Sequence, residues 1–468
     1  MRYVSTRGAA PELGFEDVLL AGLARDGGLY VPAQWPSLSP AEIAAFAGRP
    51  YVDVAHRVIS PFVGSDIPDA DLHAILTEAY ATFRHPAVAP LVQTGPNDWI
   101  LELFHGPTLA FKDVAMQVLA RLMDRALARR GRSVTVVGAT SGDTGGAAIE
   151  AFRGRSAIDV FILYPHGRVS DVQRRQMTTA TESNVHAIAI DGTFDDCQNL
   201  LKALFNDLAL RDRLSLAGVN SINWARLVSQ VVYYFTAGAA LGAPHRRVAF
   251  SVPTGNFGDV FAGHVARRMG LPVASLVVAT NVNDILARTI ETGRYEPRTV
   301  TATFSPSMDI QISSNFERLL FEIAGRDARR VVELMSALDT AHAFVLNQGE
   351  HASLRQAFQT ARVDEDETLA AIRDLQAACG YLTDPHTAVG LAAAAKVTRD
   401  PSVPMVTLAT AHPAKFPDAV ARATGAPPPE PAMLAEQRRR EERFTRLPNS
   451  LAAVADFVAD RARARSSS

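Results

Sequence analysis

Two stretches of the chain alternate strand-like and helix-like patterning around a glycine-rich turn, and this constrains the fold more than any other feature. The first stretch, from about residue 98, runs WILELF, the helical DVAMQVLARLMDRALARR, the strand SVTVV, the turn GATSGDTGGAA at 138–148, the helix AAIEAF and the strands VFILY and HAIAI. The second begins near 247 with RVAFSV, the turn PTGNFGD, the helix VFAGHVARRM, the strand VASLVVAT and, much later, PMVTLAT. Strands regularly separated by helices predict parallel α/β sheets, and two such units invite a cleft between them. Ahead of them, residues 1–95 read as a mostly helical segment, with AEIAAF and DLHAILTEAYATF amphipathic between proline-rich stretches such as VPAQWPSLSP. The expected division is 1–95, a smaller α/β domain at 96–240, and a larger one at 241–468 with a helical insertion and a charged tail.

At 468 residues the chain exceeds one compact core and suits two or three domains. A formal charge of −2 offers no basic excess for nucleic acid, so a small-molecule enzyme is the natural class. Cys197 and Cys379 stand far apart with no CxxC spacing, which suggests neither a zinc site nor a disulfide framework and fits a reducing cytoplasm. No other metal-ligand cluster stands out. Apolar runs stay shorter than the roughly 18 residues a membrane helix needs, and the amino terminus lacks a secretory pattern. Only four of the 47 basic residues are lysines, Lys112, Lys202, Lys396 and Lys415. Where arginine serves for solubility, a retained lysine hints at a need for an amine that can lose its proton.

Five segments carry candidate chemistry. In FHGPTLAFKD at 104–113, Lys112 falls near a helix start among apolar neighbours, and both the helix dipole and desolvation favour its neutral, nucleophilic form. Position alone equally describes a surface lysine in a first turn. The turn at 138–148 lacks the G-x-G-x-x-G order of a dinucleotide site and the G-K-[ST] of a P-loop, yet its amides can converge on an anion, or it can be a tight packing turn. PTGNFGD at 253–259 follows a strand and opens a helix, so Gly255 and Gly258 allow a phosphate to approach the helix start, although a simple capped turn reads the same way. In TLATAHPAKF at 407–416, Thr410 could set a hydroxyl against a pyridine nitrogen at the sheet's carboxyl edge; His412 reads as structural, and Lys415 as a partner for an anion or as solvated. Ser313, Ser314 and Asn315, before a helix carrying Glu317 and Arg318, can receive a phosphate or carboxylate or can cap the helix.

Together HGPTLAFKD, TSGDTG, GNFGD, SSNFER and TAHPAKF resemble threonine synthases of the bacterial and fungal type, and the likeness extends from MRYVSTRG and DGGLYVP through NSINWAR and DPHTAVG to EERFTRLPN. The resemblance implies two open α/β domains of the fold-type II pyridoxal-phosphate kind, similar to tryptophan synthase β, with the added N-terminal helical segment. It implies pyridoxal 5'-phosphate held covalently on Lys112, its phosphate on Gly255, Asn256, Phe257, Gly258 and Asp259, and its ring nitrogen facing Thr410. It places Ser141, Asp143 and Thr144 at the ring hydroxyl or substrate carboxylate, with Asp143 where dehydratase relatives carry asparagine. Asn315, Arg318 and Arg226 of NSINWAR become candidates for the substrate phosphate. The implied reaction converts O-phospho-L-homoserine and water to threonine and phosphate, in a cytoplasmic monomer or homodimer with neither nucleic acid nor membrane as partner. A related pyridoxal lyase acting on free serine or threonine, a phospho-lyase, or a non-catalytic binder of a phosphorylated ligand are the rival readings.

Overall fold

The strands sort into two mainly parallel sheets whose membership crosses the order of the chain. The computed structural model describes residues 1–140 and 142–463. The larger sheet has the order Gln359–Arg362, Val273–Thr280, Val248–Pro253, Met405–Ala409, Asp98–Glu102, Leu91–Gln93, parallel except for its last strand. The smaller sheet runs Thr445–Pro448, Val185–Asp191, Ile158–Pro165, Val134–Ala139, Leu216–Ala217, all parallel. Every residue of Ile158–Pro165 is buried, as expected of a central parallel strand covered on both faces.

Two placements differ from the division read from sequence. Asp98–Glu102 pairs with Met405–Ala409 in the larger sheet, not with the strands that follow it. The tail returns to the smaller sheet: Thr445–Pro448 pairs with Val185–Asp191, and the helix Leu451–Arg461 buries Val454, Phe457 and Val458 with Phe161, Leu163 and Ile188. An apolar strand carries no mark of which sheet it will join, because parallel partners are brought together by crossovers of any length.

Two helices form the interior. Lys112–Arg130 is buried at every position from Lys112 to Met123 and ends at Gly131, in the left-handed conformation with φ 58°. Beside it runs Trp224–Ala240, whose start is capped by Asn223 through the N–H of Ala225 (3.0 Å). The N-terminal segment wraps this pair with the helices Phe15–Ala21, Pro40–Ala44, Tyr51–Val63 and Asp69–Tyr80 and a two-stranded ribbon of Tyr3–Ser5 and Tyr30–Pro32. Tyr51–Val63 holds Pro61 inside it, near its end, and its Val54, Val58, Ile59 and Phe62 form an apolar stripe. Phe62, Tyr3 and Trp35 close on Trp224 with ring centroids 5.8–6.0 Å away.

Candidate active site

The segment leading to Lys112 is held in a fixed loop. Asp113 turns back to accept the N–H and hydroxyl of Thr108, each at 2.7 Å. The turn requires Gly106, since a Cβ there would lie 2.3 Å from that of Asp113. Leu109 takes a positive φ of 61°, a strained value for a bulky residue. The N–H of Phe111 donates to the Thr410 carbonyl (2.8 Å) and that of His412 to Leu109 (3.0 Å), so LAFK and TAH lie side by side where strand Met405–Ala409 ends. Burial pushes the Asp113 carboxyl up to about 6.

Lys112 is the first residue of its helix and is buried, with Nζ 3.7 Å from Asp143 Oδ2 and 3.4 Å from Ser307 Oγ. Burial lowers its pKa; Asp143 opposes this, while the charges of Lys415 and Arg226 add to it. Asp143 opens the helix Asp143–Phe152, and its Oδ1 accepts from Lys415 Nζ (2.8 Å) and Gln173 Nε2 (2.9 Å). Burial works against its ionisation, but Lys415 and Lys112 outweigh it and hold the carboxyl well below the usual range. Lys415 is fully buried and also donates to the Thr108 carbonyl (2.8 Å), so of its two readings the solvated one is excluded. Half of the chain's lysines thus meet on one carboxylate. Thr144 is half-buried in the same first turn, and Thr140 ties the loop by accepting the N–H groups of Gly142 (2.9 Å) and Gly145 (3.0 Å). Ser141 lies outside the described residues.

Gly255, Asn256 and Phe257 connect strand Val248–Pro253 to helix Gly258–Arg268, with Phe257 at φ 63°. Among the described residues their N–H groups have no partner in the protein. A Cβ on Gly255 would stand 2.7 Å from the Ser307 carbonyl, and one on Gly258 3.4 Å from the Asn315 amide. Free amides at a helix start, with a glycine at 255 where a side chain would meet the Ser307 carbonyl, fit the phosphate of pyridoxal phosphate. Thr410 is buried at the neighbouring strand end, and its hydroxyl has no partner among the described residues, which fits a ring nitrogen. Asp259 faces away from this cradle: its Oδ1 accepts the hydroxyls of Tyr233 and Tyr234, its Oδ2 is buried without a partner, and burial pushes it up to about 7. Asp259 thus belongs to the loop by its place in the first turn, while its carboxyl fastens that turn to helix Trp224–Ala240.

The SSNFER segment buttresses the cradle from behind. The N–H and the amide Nδ2 of Asn315 both donate to the Asn256 carbonyl at 3.0 Å, and Ser313 Oγ donates to that of Gly255 (2.8 Å). Glu317 pairs with Arg7 (2.9 Å). Arg318 is fully buried, donating to the carbonyls of Tyr30 (3.1 Å) and Ile222 (2.5 Å) and to Asn315 Oδ1, with burial lowering it to about 9. It knits the N-terminal ribbon to NSINWAR and does not open to the cleft, so Arg318 is corrected as a substrate contact. Arg226 is the contrasting arginine. It is buried, donates once to the Val219 carbonyl (2.9 Å), leaves Nε without a partner, and has no carboxylate beside it among the described residues. Burial lowers it to about 10.

Sequence reading misses Ser307 and Gln173. Neither lies in a glycine-rich turn or beside a helix-start lysine, and only the folded chain brings them to Lys112 and Asp143.

Comparison with known proteins agrees along the chain. Family models described as threonine synthase N terminus, pyridoxal-phosphate dependent enzyme, and threonine synthase C-terminal match residues 2–80, 89–349 and 387–458. A Pseudomonas aeruginosa protein named threonine synthase is 56% identical over 459 residues, covering 98% of each chain. The crystal structure of pyridoxal-phosphate-bound threonine synthase from Brucella melitensis superposes with a TM-score of 0.97 at 59% identity, covering 99% of this chain and 100% of that one. The yeast threonine synthase structure gives 0.93 at 39% identity, covering 98% of both.

Proposed function

The chain belongs to the threonine synthase family, and from that premise we propose that Lys112 is the residue that carries its cofactor and serves as its base. The chain is a pyridoxal-phosphate enzyme that converts O-phospho-L-homoserine and water to L-threonine and inorganic phosphate. The observation that carries the assignment of Lys112 is the placement of its amine beside Asp143 and Ser307, with the free amides of Gly255–Phe257 and the unpartnered hydroxyl of Thr410 in the same cleft.

When bound, pyridoxal phosphate supplies the electron sink for negative charge developing on the substrate carbons. Lys112, released by the substrate amine, takes the α-proton at Nζ, hands it back to another atom of the bound substrate–cofactor system, and as a neutral amine again takes a β-proton; desolvation lowers its pKa and so favours that return to the neutral form. Asp143, fixed by Lys415 and Gln173, receives the ammonium formed after each transfer. The amides at 255–258 orient the cofactor phosphate, and Thr410 meets the ring nitrogen. Thr144, with Ser141, is assigned to the substrate carboxylate. Arg226 is assigned to the substrate phosphate, since a buried guanidinium without a counter-charge is costly until an anion arrives. Loss of that phosphate leaves an unsaturated carbon chain, and water adds at its β-carbon; closure of the cleft guards against premature hydrolysis.

The division into an N-terminal segment and two α/β domains, a cytoplasmic setting and a monomeric or homodimeric state belong to the same proposal. No helix among the described residues is long and apolar enough to cross a membrane. The test of the Lys112 assignment is borohydride reduction of the holoenzyme followed by peptide mass mapping. The cofactor mass is expected on Lys112; finding it on Lys202, Lys396 or Lys415 refutes the assignment.

A further inference from the structure

Ser307 reaches Lys112 from a loop that has no strand or glycine signature of its own. Its N–H donates to His386 Nε2 (3.2 Å), which makes that nitrogen the acceptor and leaves the ring proton on Nδ1, donated to Asp384 Oδ1 (2.9 Å). Asp384 and His386 are buried, and Asp384 caps helix Pro385–Lys396 through the N–H groups of His386 (2.9 Å) and Thr387 (3.3 Å) as well as the Thr387 hydroxyl. That hydroxyl accepts the N–H of Thr410 (3.2 Å). One carboxylate therefore sets the positions of both Ser307 and Thr410. On its other side the 303–309 loop is held by Asp309, which accepts from Thr303 (2.7 Å), Asn281 (2.8 Å) and Asn283 (3.0 Å). A serine whose only function is to fill a loop does not need such fixing.

We propose that Ser307 is a further catalytic residue, whose hydroxyl receives the Lys112 amine when that amine is released to act as a base, with His386 and Asp384 as positioning residues. Among the described residues the amine has two polar neighbours, Ser307 Oγ at 3.4 Å and Asp143 Oδ2 at 3.7 Å, on different elements. An amine that donates one hydrogen to Ser307 keeps its lone pair free for a substrate C–H. After it takes the proton, the ammonium gains more from the carboxylate, since a charge-assisted bond is about twice as strong as a neutral one. Lys112 thus alternates between Ser307 when neutral and Asp143 when protonated. The substrate proton resides on Nζ, and the serine neither gains nor loses one. At 3.4 Å the Ser307 contact is long, as catalytic hydrogen bonds are before the substrate tightens them.

The inference rests on the reading of Lys112 as the base, and its test separates the two. Wild-type and Ser307→Ala holoenzymes are compared for exchange of the substrate α-hydrogen in deuterated water, for steady-state phosphate release, and, without substrate, for the rate at which hydroxylamine takes the cofactor from its lysine. The expected result for Ser307→Ala is a fall of about tenfold or more in exchange and kcat, KM within about twofold of wild type, and slower capture by hydroxylamine. The cofactor absorbance and thermal midpoint stay those of wild type, and Ser307→Thr, which retains the hydroxyl, recovers most of the exchange rate. Exchange at the wild-type rate in Ser307→Ala overturns the proposal, as does a loss of rate matched by loss of cofactor or of thermal midpoint, since Ser307 then only supports its loop. A wild-type enzyme that exchanges no α-hydrogen overturns the Lys112 reading itself.

Discussion

Replacing Lys415 by methionine keeps most of the side-chain volume and removes one charge from a fully buried ion pair. Among the described residues, Asp143 Oδ1 is left with Gln173 and the Thr108 carbonyl with Gln176, at 2.9 Å. Removing one partner of a buried pair leaves an uncompensated charge and costs about 3–5 kcal/mol. A second effect follows on the amine. Lys415 is one of the charges that lower the pKa of Lys112, and without it Asp143 is opposed only by burial and the charge of Arg226, so that pKa rises. The neutral base then becomes available only at higher pH, and the acid limb of kcat, which reports the amine released by the substrate, moves upward. Each pH unit by which the limb moves lowers the rate on it about tenfold. Urea unfolding at pH 8 reads the first effect and a pH–rate profile from pH 6 to 10 reads the second. A stability loss under about 1 kcal/mol together with an unmoved acid limb refutes the argument, because Lys415 is then neither the partner of Asp143 nor a neighbour that matters to Lys112.

Asp259 carries a carboxyl raised to about 7 by burial, against about 3.9 when unfolded, so its contribution to stability is fully present below about pH 4 and is lost as pH rises to about 7, by up to about 1.4 kcal/mol for each pH unit. Asp259→Asn can keep both tyrosine bonds and cannot ionise, so its urea midpoint relative to wild type is expected to improve between pH 5 and pH 8; a constant difference excludes the effect. Arg226→Gln is expected to raise KM for O-phospho-L-homoserine about tenfold or more while the thermal midpoint stays or rises, since an unpaired buried charge has been removed; an unchanged KM removes Arg226 from the substrate site. Arg318→Leu leaves the carbonyls of Tyr30 and Ile222 without their donor and is expected to cost about 2–4 kcal/mol in urea unfolding; a stability equal to wild type contradicts the structural role of Arg318.

The alternation of strands and helices, the two glycine-rich turns and the helix-start lysine are legible in the sequence because each depends on local chemistry: period, φ, and the free amides of a helix end. Strand Val273–Thr280 is bounded in full, and the helix from Lys112 to within one residue of its start. What is not legible depends on long-range pairing. Asp98–Glu102 and Thr445–Pro448 join sheets that their neighbours in sequence do not belong to. Arg226 and Arg318 look alike as letters, and only the carbonyls around Arg318 and the missing partner at Arg226 distinguish a tie within the fold from a cation held for a ligand. The PAK context of Lys415 suits a solvated side chain as well as an anion's partner, and burial beside Asp143 decides between them. Ser307 offers no local signal, since its importance comes from His386 and Asp384, about eighty residues further along.

Whether phosphate leaves O-phospho-L-homoserine through proton transfers at Lys112 is decided by product analysis of the purified holoenzyme beside Lys112→Ala. Threonine and inorganic phosphate are expected in equal amounts from the wild type, neither from the variant, and no ammonia or keto acid when free serine or threonine is the only substrate. Equal turnover in Lys112→Ala, or turnover of the free amino acids without phosphate release from the phosphorylated one, contradicts that reaction at Lys112.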